Sequence, residues 1–434
     1  MIINGGGAGG TGSDECTARL SDIPAGLKAV TADSNDEAGV GTMTMTGNAQ
    51  AAHVLAGETF YTNNYKTKLT GTMTVGSILS FSAQAYSGRQ ILIKWQNPYA
   101  ATGKPFSGVH VWYSTGGYPG VGGGTWLYSG YGGNSTSGGW CQAVATLPNL
   151  NTTYYFTACS YATCSAGDLW GTAFNAAAAT GADLWLTFTA SQNYTVPMGY
   201  TQADVFAVGG GGSGGNEYAA ASGGGGGYTL TERNRPVIGG NTYSVIVGAG
   251  GAGKEYDEYR GQNGNNGGAS YINGISTISA NGGGGGGESI GAARSKAISN
   301  GGSGGGDGGF SMNGAEIAKY GGGNGGSDGS RGALCFPTQT YVGCQGQGTT
   351  TRAWGSPSGT LYAGGGGGAA GSTTYAVPIG YGGAGGGGNG SGSPRYNTTH
   401  STAGGVNTGG GAGGEGCQGV GGAGGSGIVL LHLY

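Results

Sequence analysis

Charge is scarce in this chain: Asp, Glu, Lys and Arg make up 9% of the residues and the formal net charge is −3. No lysine or arginine occurs between Phe106 and Glu232. A basic stripe able to neutralise a phosphate backbone is therefore missing from that half, and no nucleic-acid partner is expected. Proline is also sparse, at 11 residues, so neither a collagen repeat nor a proline-rich spacer fits. No apolar run approaches the roughly 18 residues of a membrane span, so no membrane insertion is expected. The start, Met1-Ile2-Ile3-Asn4-Gly5, has neither the basic nor the apolar region of a secretory signal, which implies assembly in a cytoplasm and an extracellular life only after release. Histidine is rarer still. His53, His110, His400 and His432 are widely separated and none adjoins a cysteine pair, so no metal site and no Ser/His/Asp set is expected. The cysteines are few and odd in number, 7 in all. Cys159 with Cys164 and Cys335 with Cys344 are close enough in sequence to bridge after release, but the set reads better as reduced, partly buried small residues.

What the chain has in excess is glycine. Of 109 glycines, 78 follow residue 203, in runs such as Gly223 to Gly227, Gly282 to Gly287 and Gly364 to Gly368. Such bias without a Gly-X-Y period ordinarily means disorder. Disordered chains, however, are poor in aromatics and rich in charge, whereas this one has 26 Tyr, 7 Trp and 9 Phe. The spacers between runs also alternate as half-buried strands do: Val205-Phe206-Ala207-Val208, Tyr243-Ser244-Val245-Ile246-Val247 and Ile428-Val429-Leu430-Leu431-His432-Leu433-Tyr434. The last of these, the most apolar, is expected to close a sheet. Ordering glycine carries the largest backbone entropy cost of any residue, so dense compensation is required. Bundled polyproline-II-like helices supply it, since each has three residues per turn and aims every N–H and C=O outward at a neighbour. The alternative is flexible glycine loops on a small sandwich.

Three segments follow. Residues 1–75 hold an approximate duplication: Ile23-Pro24-Ala25-Gly26 leads to Gly41-Thr42-Met43, and His53-Val54-Leu55-Ala56-Gly57 leads to Gly71-Thr72-Met73. A unit of this size is too poor in apolar residues to fold alone and implies stacking between units or chains. Residues 76–180 pattern as a β-sandwich, with strands at Ile91 to Trp95, Val109 to Tyr113 and Tyr154 to Cys159, and Ala176 to Thr180 reading as a linker. Trp95 and the run Asn151-Thr152-Thr153-Tyr154-Tyr155-Phe156 make this segment resemble a fibronectin type III domain, whose second strand buries a tryptophan; the glycine-rich stretch 116–139 departs from that family. Residues 181–434 are the glycine-rich module, entered through Leu184 to Thr189. The expected fold class is all-β: an N-terminal repeat stem, a fibronectin type III-like β-sandwich, and a C-terminal glycine-rich β-sandwich with polyglycine-II-like helices.

Across these segments the chain resembles a bacteriophage tail fibre or receptor-binding protein. The resemblance rests on Val54-Leu55-Ala56-Gly57-Glu58-Thr59-Phe60-Tyr61 and Leu69-Thr70-Gly71-Thr72-Met73 in the stem. In the module it rests on Tyr194-Thr195-Val196-Pro197, Val208 to Gly212, Val245 to Gly251 and Gly424 to Val429. It implies a virion protein, attached to a tail or baseplate protein through its N-terminal segment and binding a bacterial cell-surface receptor near its C-terminus. The stem's small apolar content makes a homotrimer the expected assembly.

Enzymatic readings are weak. Gly248 to Lys254 matches the first seven positions of a phosphate-binding loop, but Glu255 replaces the Ser or Thr that would bind magnesium, and glycine content alone generates such matches. No cofactor is expected. A polysaccharide depolymerase would need paired carboxylates; Asp257 and Glu258 are adjacent and point to opposite faces of an extended strand, and Asp307, Glu316 and Asp328 are scattered. Glycine runs carry almost no side-chain identity, so recognition falls to the aromatics in the inserts between them. Those are Trp354, Tyr341, Tyr375 and Tyr396, with Tyr256 and Tyr259 in a secondary position. The expected function is a non-enzymatic adhesin; a structural spacer and a depolymerase are the competing readings.

Overall fold

The computed structural model describes residues 12–164, 167–217, 220–256, 261–287, 299–311, 322–335, 344–372, 377–392, 399–416 and 419–434. Among them the regular structure is strand, with only short 3-10 turns beside it, and the chain is all-β as its alternating patterns implied. It divides into two compact units. One comprises Met1–Tyr86, Gln90–Leu147 and Thr152–Thr180, and the other comprises Ser87–Arg89, Pro148–Asn151 and Gly181–Tyr434.

The first unit begins with two copies of one small motif. β1 (Lys28–Ala29) pairs with β2 (Gly39–Val40), and β3 (Thr59–Phe60) pairs with β4 (Leu69–Thr70). The copies share their hydrogen bonds: Thr42 and Met43 donate to Leu20 and Ile23 in one, Thr72 and Met73 to Ala51 and Val54 in the other. Among the described residues, no hydrophobic cluster includes a residue before Ile78, so the motifs hold no core of their own.

A β-sandwich follows, built from β5 (Ser80–Ser87), β6 (Gln90–Gln96), β7 (Gly108–Ser114), β8 (Thr125–Gly130), β9 (Trp140–Thr146), β10 (Thr153–Cys164) and β11 (Gly167–Ala179). One sheet has the order β5-β6-β9 and the other β11-β10-β7-β8. Ile91, Ile93 and Trp95 of β6 meet Val109 and Val111 of β7 and Tyr154, Phe156 and Ala158 of β10 between them. Trp95 is fully buried yet keeps its polar atom satisfied, because Nε1 donates to Asn97 Oδ1 at 3.1 Å. The alanines read as a linker prove to be strand: Ala176, Ala177 and Ala178 pair with Phe156, Tyr155 and Tyr154. Alanine carries little strand preference of its own, and here large partners on β10 supply the contacts that decide it.

The second unit holds another sandwich, from β12 (Leu184–Phe188), β13 (Gln192–Thr195), β14 (Gln202–Val208), β15 (Thr229–Pro236), β16 (Thr242–Ile246), β17 (Tyr271–Ile272), β18 (Gly309–Ser311), β19 (Ala370–Ser372) and β20 (Ile428–Leu433). The orders are β12-β20-β14-β15 and β13-β16-β17, with β18 and β19 a separate parallel pair. Val205, Ala207, Val429, Leu431 and Leu433 face Val245 and Ile272 across the core. The terminal strand does not sit at a sheet edge. Leu431 of β20 pairs with Leu186 on one side and Val205 on the other, so it is the strand that joins its neighbours.

Glycine runs leave this sandwich where β14 ends and where β15 and β20 begin. The amides of Gly210, Ser213 and Asn216 donate to Gly268, Asn265 and Gln262; those of Gly211 and Gly214 to Gly425 and Gly422; those of Gly212 and Gly215 to Gly225 and Ser222. Every third residue thus addresses one neighbour, which is the period of a polyproline II helix. Carbonyls are used in turn: Gly210 and Ser213 accept from Gly283 and Gly286, Gly212 and Gly215 from Ala412 and Glu415, and Gly211 from Gly251. This one run is bonded to six others. A Cβ on Gly212 would lie 2.0 Å from the Gly284 carbonyl oxygen, and one on Gly214 1.9 Å from that of Gly413, so spacing this close requires glycine.

Candidate functional site

The two faces of β20 serve different ends. Val429, Leu431 and Leu433 fill the sandwich core, while Ile428 and Leu430 turn to the opposite face with Phe206 and Val208. Trp354, Tyr362, Ala353 and Ala363 pack onto that face. Trp354 occupies a 3-10 turn, Ala353–Gly355, with φ 60° and ψ 13°. That left-handed conformation is costly for a bulky residue and persists where its surroundings fix the ring. Those surroundings are specific. The ring stands edge-on to Trp185 at 5.7 Å and 83° and tilts against Phe206 at 5.9 Å. The Arg233 guanidinium lies 5.9 Å over it, and Arg233 Nη2 donates to the Trp354 carbonyl at 3.0 Å.

Trp185, on β12, is 60% exposed and stacks on His432 at 3.7 Å and 12°. His432 Nε2 is 2.9 Å from Asp183 Oδ2, and its Nδ1 is 3.8 Å from Asp204 Oδ2. Hydrogen bonds from His432 and then Asn151 hold the Asp183 carboxyl below its usual value. Asp204 is buried and well supplied: Arg233 Nη1 donates at 3.1 Å, the Asn234 amide at 2.9 Å, and the Tyr434 hydroxyl lies 3.0 Å away. The result is an open indole face on a rigid sheet, with a second tryptophan at its edge and carboxylate and guanidinium groups around it. Such a surface can stack on a flat apolar face and exchange hydrogen bonds with hydroxyls at its margin.

The residues named from the sequence fare differently. Trp354 lies in this patch, over the sheet rather than at the tip of a glycine run. Tyr256 is half-buried, and no ring contact joins it to the Trp354 group among the described residues. Tyr259, Tyr341, Tyr375 and Tyr396 fall outside the described residues. Trp185, His432, Asp183 and Asp204 escaped the sequence reading because His432 is 249 positions from Asp183. Only the central placement of β20 joins them. The one local signal was period 2: Leu430, His432 and Tyr434 alternate with the apolar core set.

The phosphate-loop match is part of the lattice. Gly248, Gly251 and Lys254 offer their carbonyls to Gly427, Gly424 and Gly421, and the Gly251 amide donates to Gly211. Of the scattered acids, Asp328 accepts from Thr350 Oγ1 at 2.6 Å and pairs with Arg352 at 3.4 Å, while Asp307 is buried; Asp257, Glu258 and Glu316 fall outside the described residues. Cys16, Cys141, Cys159 and Cys344 are free thiols, and burial pushes the Cys159 thiol up to about 12 and that of Cys344 to about 11.

Residues 187–434 match the family model of a glycine-rich domain. That stretch takes in the glycine lattice, most of the second sandwich and Trp354, and it exceeds half of the chain. The chain therefore belongs to this glycine-rich domain family. No match to a curated protein was found.

Proposed function

We propose that the protein is a non-enzymatic adhesin of a bacteriophage tail fibre or tip, binding a carbohydrate or protein receptor on a bacterial envelope through the glycine-rich module. The observation that carries this reading is Trp185, an exposed indole held by His432 and Trp354 beside Asp204 and Arg233. A large exposed ring with so many fixed partners is built for contact. In this reading the glycine runs are polyglycine II helices, whose three-residue hydrogen-bond repeat favours a stiff mount that resists proteases. The fibronectin type III likeness is supported by the strand orders β5-β6-β9 and β11-β10-β7-β8 and by the buried Trp95 on the second strand of the sandwich. The coreless stem motifs, with Leu27, Val30, Val40 and Tyr61 exposed, favour assembly as a homotrimer and attachment to a tail or baseplate protein.

The test is cosedimentation of the purified chain with envelopes from a panel of bacterial species, with released sugar measured in the supernatant. The adhesin predicts retention on at least one envelope without sugar release. Trp185→Ala should weaken that retention roughly thirtyfold, the usual cost of losing a central aromatic anchor. Sugar release would instead make the protein a depolymerase. Retention nowhere would leave the spacer reading, which the density of the lattice also favours.

A further inference from the structure

A second aromatic array lies on the first unit, on the face of the β11-β10-β7-β8 sheet turned away from its core. His110 of β7 is at its centre, with ring centroids 3.9 Å from Tyr161, 4.5 Å from Trp126, 5.0 Å from Trp170 and 5.7 Å from Trp112. Tyr161 stacks nearly parallel to the imidazole, at 23°. Four strands therefore contribute one patch. Its centre is closed, since His110 and Trp112 are buried, whereas its flanks are open, Trp126 being 52% and Trp170 44% exposed.

Two register irregularities place those flanks. Between the pairs Cys159↔Ala173 and Tyr161↔Trp170, two residues of β11 stand opposite one of β10. Between Val111↔Tyr128 and Trp112↔Trp126, β8 likewise carries an extra residue. Such bulges re-aim side chains and strengthen local twist. Here each stands next to an edge tryptophan, and the two indoles converge on the central imidazole. A sheet that needed only to cover its surface would have no use for two bulges at matching places.

The polar groups point to what covers it. Both ring nitrogens of His110 are buried without a hydrogen bond among the described residues, an unfavourable condition that calls for a partner. Nε2 is 3.8 Å from Asp168 Oδ2, too far for a direct hydrogen bond and matched to one bridged by a hydroxyl. Burial holds the imidazole below its usual pKa despite that carboxylate, so it packs as a neutral ring. The charge around the patch is of one sign. Asp168 lies at its margin, the ring faces are negative, and β7 to β11 contain no lysine or arginine. The C–H face of a sugar is positive and its hydroxyls donate, which complements both the rings and the carboxylate, while an acidic sugar would be repelled.

We infer that this face is a second binding site, for the pyranose rings of an uncharged glycan, with Trp126 and Trp170 as stacking platforms and Asp168 as hydroxyl acceptor. It is distinct from the Trp185 patch and stands or falls separately. The test is electrophoresis of the full chain through gels containing dextran, galactomannan or xylan, and through a gel containing polygalacturonate. The expected result is retardation by at least one uncharged polysaccharide and none by polygalacturonate. Trp126→Ala combined with Trp170→Ala should lose that retardation by about thirtyfold or more; uncovering His110 and Trp112 should lower the melting temperature, but far-ultraviolet circular dichroism should show the chain still folded at the assay temperature. Trp185→Ala should leave it intact. Migration unaffected by every uncharged polysaccharide would overturn the inference, as would retardation that survives the double substitution or disappears with Trp185→Ala. Retention on an envelope protein that depends on Trp126 and Trp170, without any polysaccharide effect, would reassign the face to a protein partner and also overturn it.

Discussion

Asp307 places a titratable carboxyl inside the glycine lattice. Its amide donates to the Ala333 carbonyl and its own carbonyl accepts from Gly323, so its backbone is a lattice strut. Its Oδ1 is buried without a hydrogen-bond partner among the described residues, and burial raises the carboxyl to about 7. The folded state therefore holds this proton more tightly than the unfolded chain does. The stabilising difference is complete below the ordinary carboxyl value and is lost as pH rises to about 7, at no more than roughly 1.4 kcal/mol per pH unit. Denaturant unfolding at pH 5 and pH 8 should show greater stability at pH 5, and Asp307→Asn should flatten that difference. An equal pH dependence in both proteins would remove Asp307 as its source. Gly212 is a residue of the opposite kind, with no chemistry and no room. Gly212→Ala places its Cβ against the Gly284 carbonyl and should cost more than about 3 kcal/mol. Gly116→Ala meets nothing within 4 Å and should stay within about 0.5 kcal/mol, both read by denaturant unfolding.

At the scale of elements, β20 is the piece on which the second unit depends, because β12 and β14 pair through it rather than with each other. Removing Ile428 to Tyr434 should expose both neighbours and the core they cover, and limited proteolysis should digest residues 181–427 at least tenfold faster than in the full chain. Equal resistance would contradict this role. The strand itself was legible, since its apolar content is high and only His432 interrupts its aliphatic run. Its central position was not, because nothing local distinguishes a strand with one partner from a strand with two. The same limit hid β11, where alanine is assigned by tyrosine and phenylalanine across the ladder. Trp354 was legible as an aromatic within a long insert. Trp185 and His432 could not be joined from the sequence, because their contact depends on pairing between residues at opposite ends of the module.

For the whole molecule, composition foretold more than motif did. Glycine excess with abundant aromatics and little charge separated an ordered lattice from a disordered tail, whereas the phosphate-loop match at Gly248 to Lys254 became part of that lattice. The coreless stem carries the assembly claim: light scattering should report a trimer for the full chain and a smaller species once residues 1–75 are removed, and a monomeric full chain at micromolar concentration would refute it. The central claim is that the glycine runs form a fixed, mutually hydrogen-bonded mount for the recognition surface. Amide hydrogen exchange over residues 209–216 and 222–228 tests it most directly, because there nearly every amide donates to a carbonyl of another run. Protection lasting hours at neutral pH, comparable to that of β14 and β20, is the predicted result. Exchange within seconds, at the rate of an unstructured glycine peptide, would contradict the account.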